Sequence, residues 1–302
     1  MAVVIMHAAL AFGVTSLAVV LLLPLAPRWG LLDVPGRGRK RHARPKPVLG
    51  VALGIGVLGA SWWSVPVTTL VWTTSLGALG MLVLGLDDDR HPRAALWKLG
   101  VQTLIAAAVV LGAGVAFKRV SLLGFHLGLG WLALPFSVFW VVTLTNAFNL
   151  VDGSDGLAVG LSAIAAARFV GANDPQTAYL GASLLGGCVA FWGWNKPQAK
   201  AFLGDGGAYF LGTTLALLSL GQAASSRAEA TFTFSEMGLL FLVPLADVIC
   251  ALARRAWRGQ SIFAADHDHI HHRLEQRWGT WTMLVVLYGV TALGTLASLW
   301  WR

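Results

Sequence analysis

Long apolar runs alternate with short polar ones along almost the whole chain. Ten apolar stretches stand out, at about 2–25, 48–63, 67–86, 98–117, 131–149, 157–171, 177–194, 207–222, 236–253 and 281–300. A straight membrane-crossing helix needs about 20 apolar residues, and several of these are shorter. Stretches 48–63 and 67–86 are separated only by Ser64 to Pro66, which reads as a tight hairpin. The expected fold is an all-α polytopic membrane protein of about ten transmembrane helices. Residues 1–302 read as one membrane-embedded domain without internal repeats.

Composition agrees. The chain is 56% hydrophobic and 12% charged, whereas a soluble domain carries about 25% charged residues. The net charge of +8 sits in short loops between apolar runs, which argues against nucleic acid and for a lipid bilayer. Cys188 and Cys250 lie inside apolar runs and suggest neither a disulfide framework nor a zinc site. No basic residue precedes Ala2 to Leu25 and no small-residue cleavage site follows, so this stretch reads as a retained helix.

Ten spans divide the loops into two sets. Loops 26–47, 87–97, 150–156, 195–206 and 254–280 hold sixteen Lys and Arg; loops 64–66, 118–130, 172–176 and 223–235 hold three. The positive-inside rule puts the first set in the cytoplasm and both termini outside. Every acid-rich or His-rich motif falls in that same set, so the expected active site faces the cytoplasm.

The central motif is Asn146 to Leu157, NAFNLVDGSDGL, at the end of the apolar run 131–149. Asn146, Asn149, Asp152 and Asp155 recur every three residues, a spacing that keeps neighbours close on a helix face. Two amides and two carboxylates at the mouth of a membrane helix are costly unless something binds them. Gly153 and Gly156 let a ligand approach the backbone. An Asn/Asp/Gly loop capping the next helix is the plainer alternative.

Four other loops carry candidate chemistry. In Asp33 to Gly50, most basic residues read as topology determinants; Lys40 and His42 are the candidate anion contacts. Asp87, Asp88 and Asp89 follow an apolar helix directly. Like charges this close call for a cation or a shared proton, and hard oxygen ligands suit Mg²⁺, with Mn²⁺ as the alternative. An acidic helix end in water would oppose the helix dipole. Lys98, at the start of the next span, is placed to return over this loop to a phosphate. Asp205 lies between glycines before an apolar helix, a helix start suited to phosphate with a carboxylate for a metal beside it. Phe202, three residues earlier, is free to stack on a base or to sit in lipid. The last loop holds His267, His269, His271 and His272 with Arg254, Arg255 and Arg273 flanking. With no cysteine near, histidine and arginine beside a carboxylate site read better as a pyrophosphate clamp than as zinc ligands. Asp247, inside the ninth stretch, is either functional or an acid hydrogen-bonded between helices.

Together the motifs resemble the polyprenyl-phosphate N-acetylhexosamine-1-phosphate transferases. The match runs from Asp33 to Leu274 through Arg39-Lys40-Arg41-His42, Asp88-Asp89, Asn146 to Leu157, Gly204 to Ala208 and His269-Ile270-His271-His272. The DDRH and HIHHRL segments look like the bacterial undecaprenyl-phosphate GlcNAc-1-phosphate branch. Departures are Gly50-Val51 for a Gly pair, Ala208 for Ser and the third acid Asp87. The resemblance implies a UDP-N-acetylhexosamine donor, an undecaprenyl phosphate acceptor and Mg²⁺, in the bacterial inner membrane. It implies Asn149 and Asp205 as metal ligands, and Asp88 and Asp89 on the lipid phosphate. Asp152 is the further catalytic acid. Phe202 would stack on uracil and Asp155 hydrogen-bond it. Lys98 would touch the pyrophosphate, and His269, His271 and His272 would close over the donor phosphates, with Arg255 beside them. A homodimer is compatible with this reading. The rival class is a transporter or channel using Asp247, but transport sites lie near the midplane, whereas these motifs gather in loops on one face.

Overall fold

The computed structural model describes residues 1–33, 45–63, 68–122, 124–225, 230–261 and 268–299. Among them, in chain order, are α1 (Ala2–Leu22), β1 (Leu32–Asp33), β2 (Lys46–Pro47), α2 (Gly50–Ser61), α3 (Thr69–Arg90) and α4 (Ala95–Ala113). Then come β3 (Arg119–Leu122), β4 (Phe125–Gly128), the 3₁₀ turn Gly130–Leu132, α5 (Ala133–Val151), α6 (Leu157–Val170) and α7 (Pro175–Asn195). The chain continues through α8 (Gly204–Ser225), β5 (Thr231–Thr233), α9 (Phe234–Leu240), α10 (Leu242–Trp257), α11 (Ile270–Trp278) and α12 (Thr280–Ser298).

The bundle is built around α8, which is buried over nearly its whole length and packs against α2, α3, α5 and α6. Small residues allow this. Gly85 of α3 faces the start of α8 so closely that a Cβ there would lie 2.5 Å from the Asp205 carbonyl carbon. Gly50 of α2 does the same, its Cβ falling 2.6 Å from the Gly207 Cα. The close crossings bring the C-terminal end of α3 against the N-terminal end of α8.

The expected ten spans are not confirmed. Among the described residues, five helical stretches are long and apolar enough to cross a membrane: α1, α3, α4, Gly130–Val151 and α12. The count is six if α9 and α10 are one span, and these two helices meet at 91°. The stretch 236–253, read as one span, is therefore broken. α2 and α6 have 12 and 14 residues and fall short of a bilayer's thickness. α7 and α8 are long enough but less apolar. For α8 the reason is its position: a helix enclosed by other helices is not selected for contact with lipid. The chain is a multi-pass membrane protein.

The two ends of the bundle are distinct. At one, β3 pairs antiparallel with β4 and parallel with β5, tying loop 118–130 to loop 223–235. Gln176 meets Thr68 at this end. Loops 118–130, 172–176 and 223–235 were grouped by charge, and their described residues lie at this end; residues 64–66 are outside the described residues. At the other end lie the termini of α3, α5 and α8 that carry the acids.

Candidate active site

Asp88 is buried at the end of α3. Its Oδ1 accepts from the Arg93 backbone N–H at 2.8 Å and its Oδ2 from Lys98 Nζ at 2.6 Å. Lys98 does return over the loop, to Asp88. Asp88 is also within side-chain hydrogen-bonding reach of Asp205. Two carboxylates this close require a proton or a cation between them. Asp87 turns outward, to Arg93 Nε at 2.9 Å and Nη2 at 3.2 Å, with His91 Nδ1 at 3.3 Å. The third acid is therefore a surface ion-pair partner.

Asp89 points into α8. Its Oδ1 accepts from the Asp205 N–H at 2.8 Å and its Oδ2 from the Gly206 N–H at 3.1 Å. It caps, from another helix, two N–H groups that the start of α8 leaves without an internal partner. Asp205 is thereby fixed, and its Oδ1 accepts from Asn149 Nδ2 at 2.6 Å. Asn149 sits near the C-terminal end of α5, three residues before Asp152, and Asp152 lies within electrostatic range of Asp89. Asp88, Asp89, Asn149, Asp152 and Asp205 thus form one cluster drawn from three helix ends. Asn146, one turn back on α5, donates to Gln102 Oε1 at 2.7 Å and so braces α5 on α4.

The His motif closes the cluster on another side. Asp247 of α10 is buried. Its Oδ2 meets His269 Nδ1 at 2.8 Å and its Oδ1 accepts from the Ile270 N–H at 2.7 Å. It caps α11 and orients His269, which answers the question left open for this acid. His271 Nδ1 lies 3.4 Å from the same carboxylate. Burial pushes the His271 imidazole below its ordinary pKa, against the pull of Asp247. His271 and His272 lie over Gly153: a Cβ there would meet His271 Nε2 at 2.5 Å and His272 Cε1 at 2.9 Å. Only glycine leaves room for the two imidazoles beside Asp152.

Three residues that sequence reasoning passed over hold this contact. Ser154 Oγ donates to Glu275 Oε2 at 2.7 Å, and Thr280 Oγ1 to Glu275 Oε1 at 2.8 Å. His272 Nδ1 is 4.0 Å from Glu275 Oε2. The neighbouring His272 imidazole foremost, with the hydrogen bonds from Ser154 and Thr280, lowers the Glu275 carboxyl to about 2 despite its burial. The three-residue spacing of His272 and Glu275 was the available signal.

Asp155 Oδ2 accepts from the Ala199 N–H at 3.0 Å and ties the 195–203 loop to the start of α6. Asn195 reinforces the tie, accepting from the Gly156 N–H at 3.2 Å and donating to the Ala201 carbonyl at 2.9 Å. Phe202 is buried with Val48 and Ala199, and its backbone bridges to Val48. Lys46 Nζ donates to the Ala199 carbonyl at 2.6 Å. The strand pair β1–β2 thus lies against this loop. Lys40, His42 and His267 are outside the described residues. Arg255 is half-buried in the last turn of α10.

The pattern that matches the family model for glycosyl transferase family 4 covers residues 71–222, the segment that supplies all five clustered acids and amides. A probable undecaprenyl-phosphate N-acetylglucosaminyl 1-phosphate transferase of Bacillus subtilis (strain 168) is 34% identical over 275 residues, 87% of this chain and 76% of the relative. The chain belongs to glycosyl transferase family 4. Two other members of the family are similar over most of their length. A decaprenyl-phosphate N-acetylglucosaminephosphotransferase of Mycobacterium tuberculosis (strain CDC 1551 / Oshkosh) is 31% identical, over 92% of this chain and 78% of its own. An undecaprenyl-phosphate alpha-N-acetylglucosaminyl 1-phosphate transferase of Thermotoga maritima is 30% identical, over 97% of this chain and 88% of its own.

Proposed function

We propose that this glycosyl transferase family 4 protein transfers N-acetylhexosamine-1-phosphate, GlcNAc-1-phosphate by preference, from a UDP-sugar to undecaprenyl phosphate. The products are undecaprenyl-diphosphate-sugar and UMP, the first step of a cell-envelope glycan such as an O-antigen, common antigen or teichoic-acid type polymer. The observation that carries the reading is the meeting of Asp88 with Asp205, beside Asn149 and under the His motif, at one end of a membrane bundle. The names of the relatives support the coarser reaction.

Divalent metal fits the donor set. The acids and the Asn149 amide are hard oxygen donors, and Mg²⁺ takes one or two protein carboxylates, completing its shell with phosphate oxygens and water. Among the described residues, no three His, Cys, Asp or Glu form a metal cage on their own. Asp205 and Asn149 would hold the ion, with Asp88 adjoining. When bound, it neutralises charge on the pyrophosphate and stabilises the leaving group.

An oxygen of the lipid phosphate attacks the sugar-linked phosphorus in line, and the bond to the UMP oxygen breaks. The acceptor phosphate is largely ionised at neutral pH. Asp88, held by Lys98 and the Arg93 N–H, therefore positions this group and need not take a proton from it. His271 and His272, pressed on Gly153, would donate to the donor phosphates. The site would face the cytoplasm, because the loops at this end carry the excess of Lys and Arg.

The transporter reading has no support: Asp247 is engaged with His269 and Ile270 rather than lining a midplane site. The test is mass spectrometry of the lipid made by purified protein from undecaprenyl phosphate and a panel of UDP-sugars, with and without Mg²⁺. Sugar-diphosphate lipid with stoichiometric UMP, only with metal, is the expected result. No product from any UDP-sugar would overturn the reading.

A further inference from the structure

The bundle end opposite the site carries a ribbon that the reaction does not use. Residues directly opposite in an antiparallel pair share a face. Val120 pairs with Leu127 and Leu122 with Phe125, so these four lie on one face of β3–β4; Arg119, Ser121, His126 and Gly128 lie on the other. β5 adds Phe232 beside Val120. Phe232 shows which way the apolar face points: it is buried, with its ring 4.8 Å from Trp140 of α5 and 5.0 Å from Phe117. The face thus lies down on the bundle at β5 and runs outward along the edge strand β4. There Phe125 is 81% exposed, Leu127 68% and Leu122 52%, and Trp131 beyond them is 83% exposed.

Chain connectivity fixes the depth of this patch. The span Ala95–Ala113 ends shortly before β3, and the span Gly130–Val151 begins just after β4 ends at Gly128. The ribbon therefore sits where two helices leave the bilayer. Those helices present exposed Leu104 and Leu111 of α4 and Phe139 of α5, which are their lipid-facing side chains. The overhanging apolar face continues that surface. On the opposite face Ser121, paired with Thr233, is buried, while Arg119 and His126 are exposed; exposed Lys118 precedes it.

We propose that the β3–β4 ribbon is a lipid-binding eave. Leu122, Phe125 and Leu127, with Trp131, insert into the interface of the leaflet away from the active site, and Arg119 and His126 face head-group phosphates and water. Aromatic side chains favour this interface, and anionic head groups attract the cations. A second copy of the chain is the poorer occupant, because the patch lies where two spans leave the bilayer, next to their own exposed apolar side chains.

The inference rests on the spans, not on the reaction. In a Cys188→Ala, Cys250→Ser background, nitroxide labels would be placed singly by Leu104→Cys, Phe125→Cys and His126→Cys, and the protein reconstituted in phosphatidylcholine/phosphatidylglycerol vesicles. Power saturation would compare collisions with oxygen, which concentrates in lipid, and with a water-soluble nickel chelate. The expected oxygen-to-nickel ratio is several-fold higher at 125 than at 126 and approaches that at 104, with UMP release retained in all three. Equal, water-like ratios at 125 and 126 with 104 in lipid would overturn the eave alone. Dipolar broadening between 125 labels of two copies would replace lipid with a second chain. A water-like label at 104 would overturn the span itself and the proposal with it.

Discussion

Asp89→Asn separates two roles for the second acid of the pair. The resemblance implies contact with the lipid phosphate; the structure turns both its oxygens to the N–H groups of Asp205 and Gly206. Asparagine keeps one acceptor and places an NH₂ where the other stood, so one backbone N–H at the start of α8 loses its partner. Leaving a buried backbone N–H without its acceptor costs about 1–3 kcal/mol, and the loss should be of that size. Because the orphaned groups belong to Asp205 and its neighbour, part of that loss appears as displacement of the Asp205 carboxylate. A misplacement of about 1 Å costs about a hundredfold in rate. The assays are thermal unfolding in detergent, Mg²⁺-dependent binding of the UDP-sugar, and turnover. The variant should melt earlier, bind donor more weakly with metal, and bind undecaprenyl phosphate as the wild type does. Unchanged melting and donor binding, with lipid binding selectively lost, would refute the capping role and restore the acceptor role.

Other substitutions probe the remaining parts. Gly153→Ala should displace His271 and His272, whose atoms lie 2.5 and 2.9 Å from the added methyl; turnover should fall about a hundredfold while the circular dichroism spectrum is kept. Asp205→Asn should abolish Mg²⁺-dependent donor binding measured calorimetrically, and Asp88→Asn should retain it while losing turnover; the reverse order would assign the metal to the α3 end. Phe202→Ala should destabilise by about 3–5 kcal/mol, as for other buried aromatics. In the milder Phe202→Leu variant, reduced affinity for uridine nucleotides would mark stacking on the base. Glu275 has its carboxyl lowered to about 2 from an ordinary 4.5, so its stabilising effect is full above the unfolded value and is lost as pH falls through about 2. Glu275→Gln should accordingly flatten the acid limb of melting temperature against pH below about 4.5.

The acids were legible because membrane sequences are quiet: against long apolar runs, Asp88, Asn149 and Asp205 stand out, whereas the count of ten spans is not confirmed. Their partners were not. The pairing of Asp247 with His269 joins residues 22 apart across segments outside the described residues, and no periodicity encodes it. The bend at Phe241 was invisible because both halves of the stretch 236–253 are apolar. The strands of the opposite end are three to four residues long, too short for alternation to show. Asp155, a motif acid read toward the donor base, has one oxygen engaged in holding a loop. Loop carboxylates satisfy backbone N–H groups as readily as ligands, and the sequence alone does not rank the two.

The clustered residues belong to two mechanical groups, and this bears on how the site works. Asp88, Asp89, Asn149 and Asp205 sit on α3, α5 and α8, whose backbones touch through glycine and cannot move apart without losing the α8 cap. The His motif is clasped at one end by Asp247 of α10 and at the other by Glu275, which also binds Thr280 at the start of α12. It meets the first group through the Gly153 contact and a hydrogen bond from Ser154. A close crossing of buried helices is stiff, because dense packing resists deformation. A helix of 9 residues held by a few side chains is not. The acids are thus preorganised, and α11 is the part able to adjust around the proposed donor. Ser154 is the joint between the two groups, so its loss should alter donor affinity and product release before it alters the acids.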